Sequence, residues 1–341
     1  MNNRFDNGNS ERSGGNPLMI SVLMLAVIAA AAAISTQTSA YFTLIAASAA
    51  AAYVYDFLGR PLLAALGAAL AFGVSFIIKR DVLTAAHAAA VITVVGLLFV
   101  LCRKKSFGLF KSSIILGSAF ALVSLAAAAI RLQSVYGNVI EGAKTAASYV
   151  YQNALERMKE YAGAENGALS LSDNQIEEYM SFLATLLPGI AAAVVQLSGA
   201  FAYFIMKAIY RLSGAGKNKP KGEYDIPASP VVYFAFSVLL TLVFSLIKQL
   251  EFARLAALNL CIALAIPTLV SGIVRLVRKM KDPPTVTAPD GTAVRRPPVL
   301  LLSFIVLSAI FNIAMPVLIL LIYSVTGTLK DLLSERKKQE K

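Results

Sequence analysis

The amino-acid sequence predicts an all-α protein, a polytopic transmembrane helical bundle of about nine spans, and three observations carry that reading. Successive apolar runs reach or approach the roughly 20 residues a helix needs to cross a hydrocarbon core with every backbone N–H and C=O satisfied inside its own segment. The composition is 57 % hydrophobic and 15 % charged over 341 residues, with a mean hydropathy of +0.69. A water-soluble globule so composed would expose far too much apolar surface, which excludes that class. The net charge of +12 comes largely from short Lys and Arg clusters beside the apolar runs. Anionic lipid headgroups and topology signals put cations there, so the lipid bilayer is the expected partner and nucleic acid is not.

In chain order, residues 1–16, rich in Asn, Gly and Ser, have nothing to bury and are expected to be a disordered cytoplasmic tail. A five-span membrane region follows over residues 17–134, with runs Pro17–Ser35, Tyr41–Phe57, Pro61–Ile78, Leu83–Cys102 and Ser112–Ile130. Arg4 and Arg12 before the first run, and Thr38-Ser39-Ala40 after it, also fit a cleavable signal peptide. The run exceeds the apolar core of about 7–15 residues typical of a signal, and Asp6 and Glu11 cancel the preceding charge, which favours an uncleaved first helix.

Residues 135–178 read as an extracytoplasmic segment. Val135, Val139, Ala143, Ala146, Val150, Ala154, Met158 and Tyr161 recur every three or four residues and lay one apolar stripe along a helix over residues 135–162. Val139, Val150 and Met158 are expected on its buried face, and Lys144 and Glu156 on or near the other. Such a stripe can lie on the outer leaflet, cover a pocket or bind a partner; packing across the ends of the membrane helices is the simplest reading. Ala162-Gly163-Ala164-Glu165-Asn166-Gly167 breaks this helix, and Ser172-Asp173-Asn174-Gln175 has the spacing of a capping box that starts the next.

A four-span region over residues 179–327 holds Met180–Tyr210, Pro230–Leu250, Phe252–Val277 and Pro298–Val325, and a charged tail closes the chain at 328–341. With the amino terminus in the cytoplasm, Arg103-Lys104-Lys105, the Arg211–Lys221 loop and the Arg275–Arg296 loop all lie inside, as the positive-inside bias requires. Nine spans then leave Lys330, Arg336, Lys337, Lys338 and Lys341 outside, against the rule. The last run is about 42 Å long as one helix, against a core of about 30 Å. Pro316 removes a hydrogen bond to the Asn312 carbonyl, so a single span kinked near Asn312–Pro316 with the tail outside is expected in preference to a re-entrant pair.

Chemistry is sparse. One histidine rules out a His-His metalloprotease helix, Cys102 and Cys261 lack zinc-ligand spacing and a disulfide context, and no phosphate-binding or dinucleotide loop is present. Ser198-Gly199 lacks an activating base. No catalytic residue, metal or cofactor is therefore expected. The binding candidates are polar groups at membrane depth or near span ends: His87, Arg80, Asp81 and Arg131, read as an outward-facing mouth, and Gln196 and Asn312 within spans. Gln196, Asn312 and Asn259 read more readily as structural hydrogen-bonding groups than as ligand contacts. Runs such as Ala49–Ala52 mark close helix contacts, and Tyr41, Tyr53, Tyr55, Tyr210, Tyr233 and Tyr323 are left to supply the interfacial belt that tryptophan usually shares.

Five closely spaced spans ending in Arg103-Lys104-Lys105-Ser106, a long extracytoplasmic segment, Leu187-Pro188 in the next span, Tyr224-Asp225-Ile226-Pro227, and Gly327 followed by Asp331 resemble the YybS-like family of uncharacterised bacterial membrane proteins. The resemblance implies a multi-pass protein of the bacterial cell membrane and supplies no site residues. The six-span first part is more remotely similar to the S components of energy-coupling factor transporters. That similarity implies a ligand near the outer face and docking to a membrane coupling protein, with its ATPase subunits, through small residues such as Ala26, Ala29, Ala30 and Ala33. The two functional readings are a substrate-binding or transport-associated subunit and a structural or interaction protein of the cell envelope without a small-molecule substrate.

Overall fold

The computed structural model describes residues 17–34, 40–56, 58–163, 173–212, 226–283, 285–287, 293–295, 298–312 and 314–339. The expected tail at 1–16, the helix break at 164–172 with its capping Ser172, and the basic loop at 213–225 lie outside these residues. The described residues form twelve α-helices: α1 Pro17–Ile34, α2 Ala40–Asp56, α3 Pro61–Lys79, α4 Val82–Lys104, α5 Leu109–Tyr136, α6 Val139–Gly163, α7 Asp173–Thr185, α8 Leu187–Leu212, α9 Ala228–Ser245, α10 Glu251–Lys281, α11 Val299–Phe311 and α12 Ala314–Gln339. Seven of them, α3, α4, α5, α8, α9, α10 and α12, are long and apolar enough to cross a membrane. Shorter apolar stretches stand at Val22–Ala33 and Val299–Ala309. The protein is a multi-pass helical bundle. Its one described strand pair joins Thr285–Thr287 antiparallel to Ala293–Arg295 between α10 and α11.

The chain divides into two compact units, Met1–Val100 with Ile205–Lys217, and Leu101–Phe204 with Asn218–Lys341. In the first unit α2 is enclosed: Ala47, Ala49, Ala50, Tyr53 and Val54 are fully buried. Its alanines let neighbouring backbones come close. A Cβ on Gly96 of α4 would lie 3.0 Å from the Ser48 carbonyl oxygen, and one on Gly67 of α3 would lie 2.8 Å from Ile28 Cδ1. Tyr53 and Tyr210, expected in an interfacial belt, are instead core residues. Their rings meet edge to face at 5.5 Å, and the Tyr210 hydroxyl donates to the Ala52 carbonyl at 2.9 Å. A buried phenol needs such an acceptor, and a helix carbonyl with a spare lone pair provides it.

The second unit is built on glycine crossings. A Cβ on Gly117 of α5 would run into the Val195 carbonyl, and one on Gly199 of α8 into the Ser113 carbonyl. The expected span Met180–Tyr210 is not continuous, because α7 stops at Thr185 and Pro188 stands in the first turn of α8, where a missing N–H leaves no bond unmade. Asn259 of α10 closes that break. Its Oδ1 accepts from the Gly189 N–H at 2.7 Å, and its Nδ2 donates to the Thr185 carbonyl at 2.9 Å and the Leu255 carbonyl at 3.0 Å. One amide thus satisfies an orphan acceptor at the end of α7 and an orphan donor at the start of α8.

The segment expected as one helix from residue 135 begins later. Gly137, at φ 70°, ends α5 in the left-handed conformation that glycine adopts without strain, and Asn138 Oδ1 accepts from the Ile140 N–H at 2.8 Å to start α6. Val135 therefore belongs to α5, and Val150, expected on the buried face, is 65 % exposed. The reason is that α6 buries two different sides. Its first turns lay Gly142 against Tyr136 and Leu132, whereas its last turns face α7, with Lys159 Nζ 3.2 Å from Glu177 Oε1.

Pro298–Val325 is likewise two helices, not one kinked span. Asn312 is extended, its Oδ1 accepts the Ala314 N–H at 2.8 Å, and Pro316 falls in the first turn of α12. There the missing N–H starts a helix instead of bending one. Gly272 of α10 lies against Leu320 and Ser324, while Arg275, one turn on, reaches Gly327, Thr328 and Asp331. The two helices therefore run parallel. The tail cations Lys330 and Lys337 consequently share an end of this unit with Arg278, Lys279 and Lys281, and the conflict expected with the charge rule disappears.

Candidate binding cavity

A cavity of about 170 Å³ lies inside the first unit, lined by Ala51, Ala52 and Tyr55 of α2, Pro61, Ala64 and Ala65 of α3, and Ile92, Thr93, Gly96 and Leu97 of α4. Its origin is in the sequence: four alanines and a glycine occupy facing turns of three helices, and side chains this small leave volume where leucines would close it. The rim residues Tyr55, Ala65, Thr93 and Leu97 are exposed, so the cavity opens on the surface of the unit. Its polar groups are the Tyr55 phenol and the Thr93 hydroxyl, which donates to the Ala89 carbonyl at 2.8 Å and keeps its lone pairs for an incoming donor. No lining residue is charged. Such walls accept an apolar body with one or two hydrogen-bonding groups and offer nothing to pair with an ion.

The expected polar mouth stands elsewhere. Arg80 and Asp81 follow the far end of α3, about 27 Å from Pro61 along the helix axis. Both have helix-end roles: Arg80 is the left-handed residue closing α3, its N–H donating to the Phe76 carbonyl at 2.7 Å. Asp81 caps α4, Oδ1 accepting the Leu83 N–H at 3.1 Å and Oδ2 the Thr84 hydroxyl at 2.5 Å. His87 is half-buried about a turn and a half into α4 and does not line the cavity. Arg131 is exposed on α5 and belongs to the second unit.

The two candidates within spans separate. Asn312 is exposed at the α11–α12 break and spends its side chain on a cap. Gln196 of α8 lines a small cavity of the second unit with Ser113, Ala200, Pro267 and others, about 10 Å³ in volume. Its Oε1 is buried there without a hydrogen-bond partner among the described residues. The space suits a single water, which would satisfy that oxygen. The residues that sequence reasoning missed are Thr93, Gly96 and the alanines around them, whose only signal was an alanine excess spread over every span.

No curated protein and no solved structure matches the chain. Residues 23–278 match the family described as "Predicted membrane protein (DUF2232)", whose function is unknown. That match covers most of the chain and both the cavity helices and the α5–α8 and α8–α10 glycine crossings, and the protein belongs to this family of multi-pass membrane proteins.

Proposed function

We propose that the protein is a membrane-embedded binding subunit of a transport system, not an enzyme, and that the cavity between α2, α3 and α4 takes a small, largely apolar molecule. The observation that carries this reading is an uncharged cavity of about 170 Å³ with two hydroxyls at or near its rim. Ala26 and Ala30 of α1 are exposed, which supports docking of a coupling protein through small residues, as the similarity to S components implies. The basic end of the second unit faces the cytoplasm in this reading, and the tail with it.

Mild solubilisation followed by native mass spectrometry tests the reading. A small-molecule adduct on the wild-type chain that Ala64→Phe abolishes supports it; an adduct-free chain, or an adduct the variant retains, overturns it. In intact protoplasts, a tag after Lys341 should survive external protease until the membrane is opened. The alternative, an interaction protein without a substrate, draws on the close-packed crossings at Gly117 and Gly199. It predicts copurifying proteins with no adduct.

A further inference from the structure

Independently of that cavity, the second unit carries a groove that ends among cations. Leu318, Leu321, Ile322 and Val325 of α12 face Phe234, Ala235 and Val238 of α9 across a volume of about 300 Å³. The groove offers a ligand one hydroxyl, on Thr326, whose proton goes to the carbonyls of Ile322 at 2.9 Å and Tyr323 at 3.2 Å, so that it can only accept. The other walls are apolar, and an occupant that meets them is hydrocarbon along most of its length.

Helical spacing extends the same face of α12 beyond the groove through Leu329, Leu332 and Leu333, which are 45, 39 and 61 % exposed. Arg336 follows on that face, flanked by Lys337, with Lys330 beside it one turn beyond Thr326. The acids of these turns fall on the other side. Asp331 accepts from Arg275 Nη1 of α10 at 2.6 Å, and Glu335 stands one turn after it on the same face. From Lys330 to Lys337 charge is thus sorted around the helix, with carboxylates toward α10 and cations beside the apolar stripe. A ligand that matches both features needs a long hydrocarbon chain and an anionic head at one end.

We propose that the α9–α12 groove holds one acyl chain of an anionic phospholipid, with its phosphate against Lys330, Arg336 and Lys337. The bilayer supplies such lipids laterally, and the groove runs along α12 toward Lys330, Arg336 and Lys337.

The test is native mass spectrometry of the full chain in non-ionic micelles containing equal amounts of phosphatidylglycerol and phosphatidylcholine with identical acyl chains. The wild type should retain phosphatidylglycerol preferentially. Removing two cations in Lys330→Gln/Lys337→Gln should cut that preference by about fivefold per cation, at unchanged thermal stability. Ala235→Phe, which fills the groove, should lower retention of both lipids. Millimolar inorganic phosphate should not displace the bound lipid, since a headgroup contact alone does not hold it. Equal retention of the two lipids by the wild type overturns the proposal without any variant having to fold. So does a preference that survives the double substitution, displacement by phosphate, or a dimer that Ala235→Phe dissolves, which would make a second copy the occupant.

Discussion

The two units pack helices in lipid, where no hydrophobic force draws them together, and they do it with different small residues. In the first unit buried alanines dominate, with Gly67 and Gly96 at two close approaches, and the buried pair Tyr53 and Tyr210 anchors them. Each methyl holds two backbones slightly apart, and where several face one another, as at Ala51, Ala64 and Ala65, a cavity remains. In the second unit Gly117, Gly199, Gly189 and Gly272 let a carbonyl of one helix touch the backbone of the next, and nothing is left between them. The second unit is thus closed at these crossings, and its open volume lies away from them, between α9 and α12.

That contrast is open to direct attack. The largest effect is expected at the α5–α8 crossing, where Gly199→Ala forces its methyl into the Ser113 carbonyl and must push two helices apart. Overpacking of this kind costs about 1–3 kcal/mol or more, and the variant's melting temperature in detergent should fall by several degrees or its folded yield collapse. Gly73→Ala is the matched control, since a Cβ there meets nothing within 4 Å. It should leave melting unchanged or raise it slightly, because alanine favours a helix over glycine.

Next in size is Asn259→Leu, which keeps the volume of the side chain but strands the Gly189 N–H and the Thr185 carbonyl. The expected loss is about 1–3 kcal/mol, with faster amide exchange confined to residues around the α7–α8 break. If exchange there stays at the wild-type rate, Asn259 is not what closes the break. Tyr210→Phe in the first unit deletes only the bond to Ala52 and should cost about 1 kcal/mol, leaving ring packing intact.

The smallest effect belongs to Arg275 and Asp331, whose carboxylate side is well exposed and therefore screened. Asp331→Asn should lower stability by less than about 1 kcal/mol, and the difference should shrink further in high salt. A salt-independent loss of several kcal/mol would mean that the pair lies in hydrocarbon, and would shift the membrane boundary along α10 and α12.

Much of this molecule is legible before folding is considered. The runs Pro61–Ile78, Leu83–Cys102 and Pro230–Leu250 correspond to α3, α4 and α9 with ends displaced by a few residues, since length and apolarity alone make a membrane helix. The hairpin at Thr285–Thr287 has a sequence signal of a different kind, β-branched residues on either side of Pro289-Asp290-Gly291, with no apolar run to mark it. Apolar composition could not reveal the break at Leu186, because the end of one helix and the start of the next read as one run until a partner such as Asn259 supplies the missing hydrogen bonds.

The candidate site was less legible for a related reason. His87, Arg80 and Asp81 drew notice as rare polar residues, and the latter two proved to be ordinary ends of helices. The cavity is lined chiefly by alanine, the commonest residue in the chain. What the sequence by itself determined was the solvent and the helices, because the cost of an unpaired backbone group in hydrocarbon leaves an isolated apolar segment no other conformation. Which alanines face a void, which glycines touch a carbonyl, and that α12 runs parallel to α10 and carries its cations to the same end, only the tertiary structure decided. Those outcomes depend on the rotation and register of one helix against another, and small apolar residues, alike on every face of a helix, leave that choice to packing.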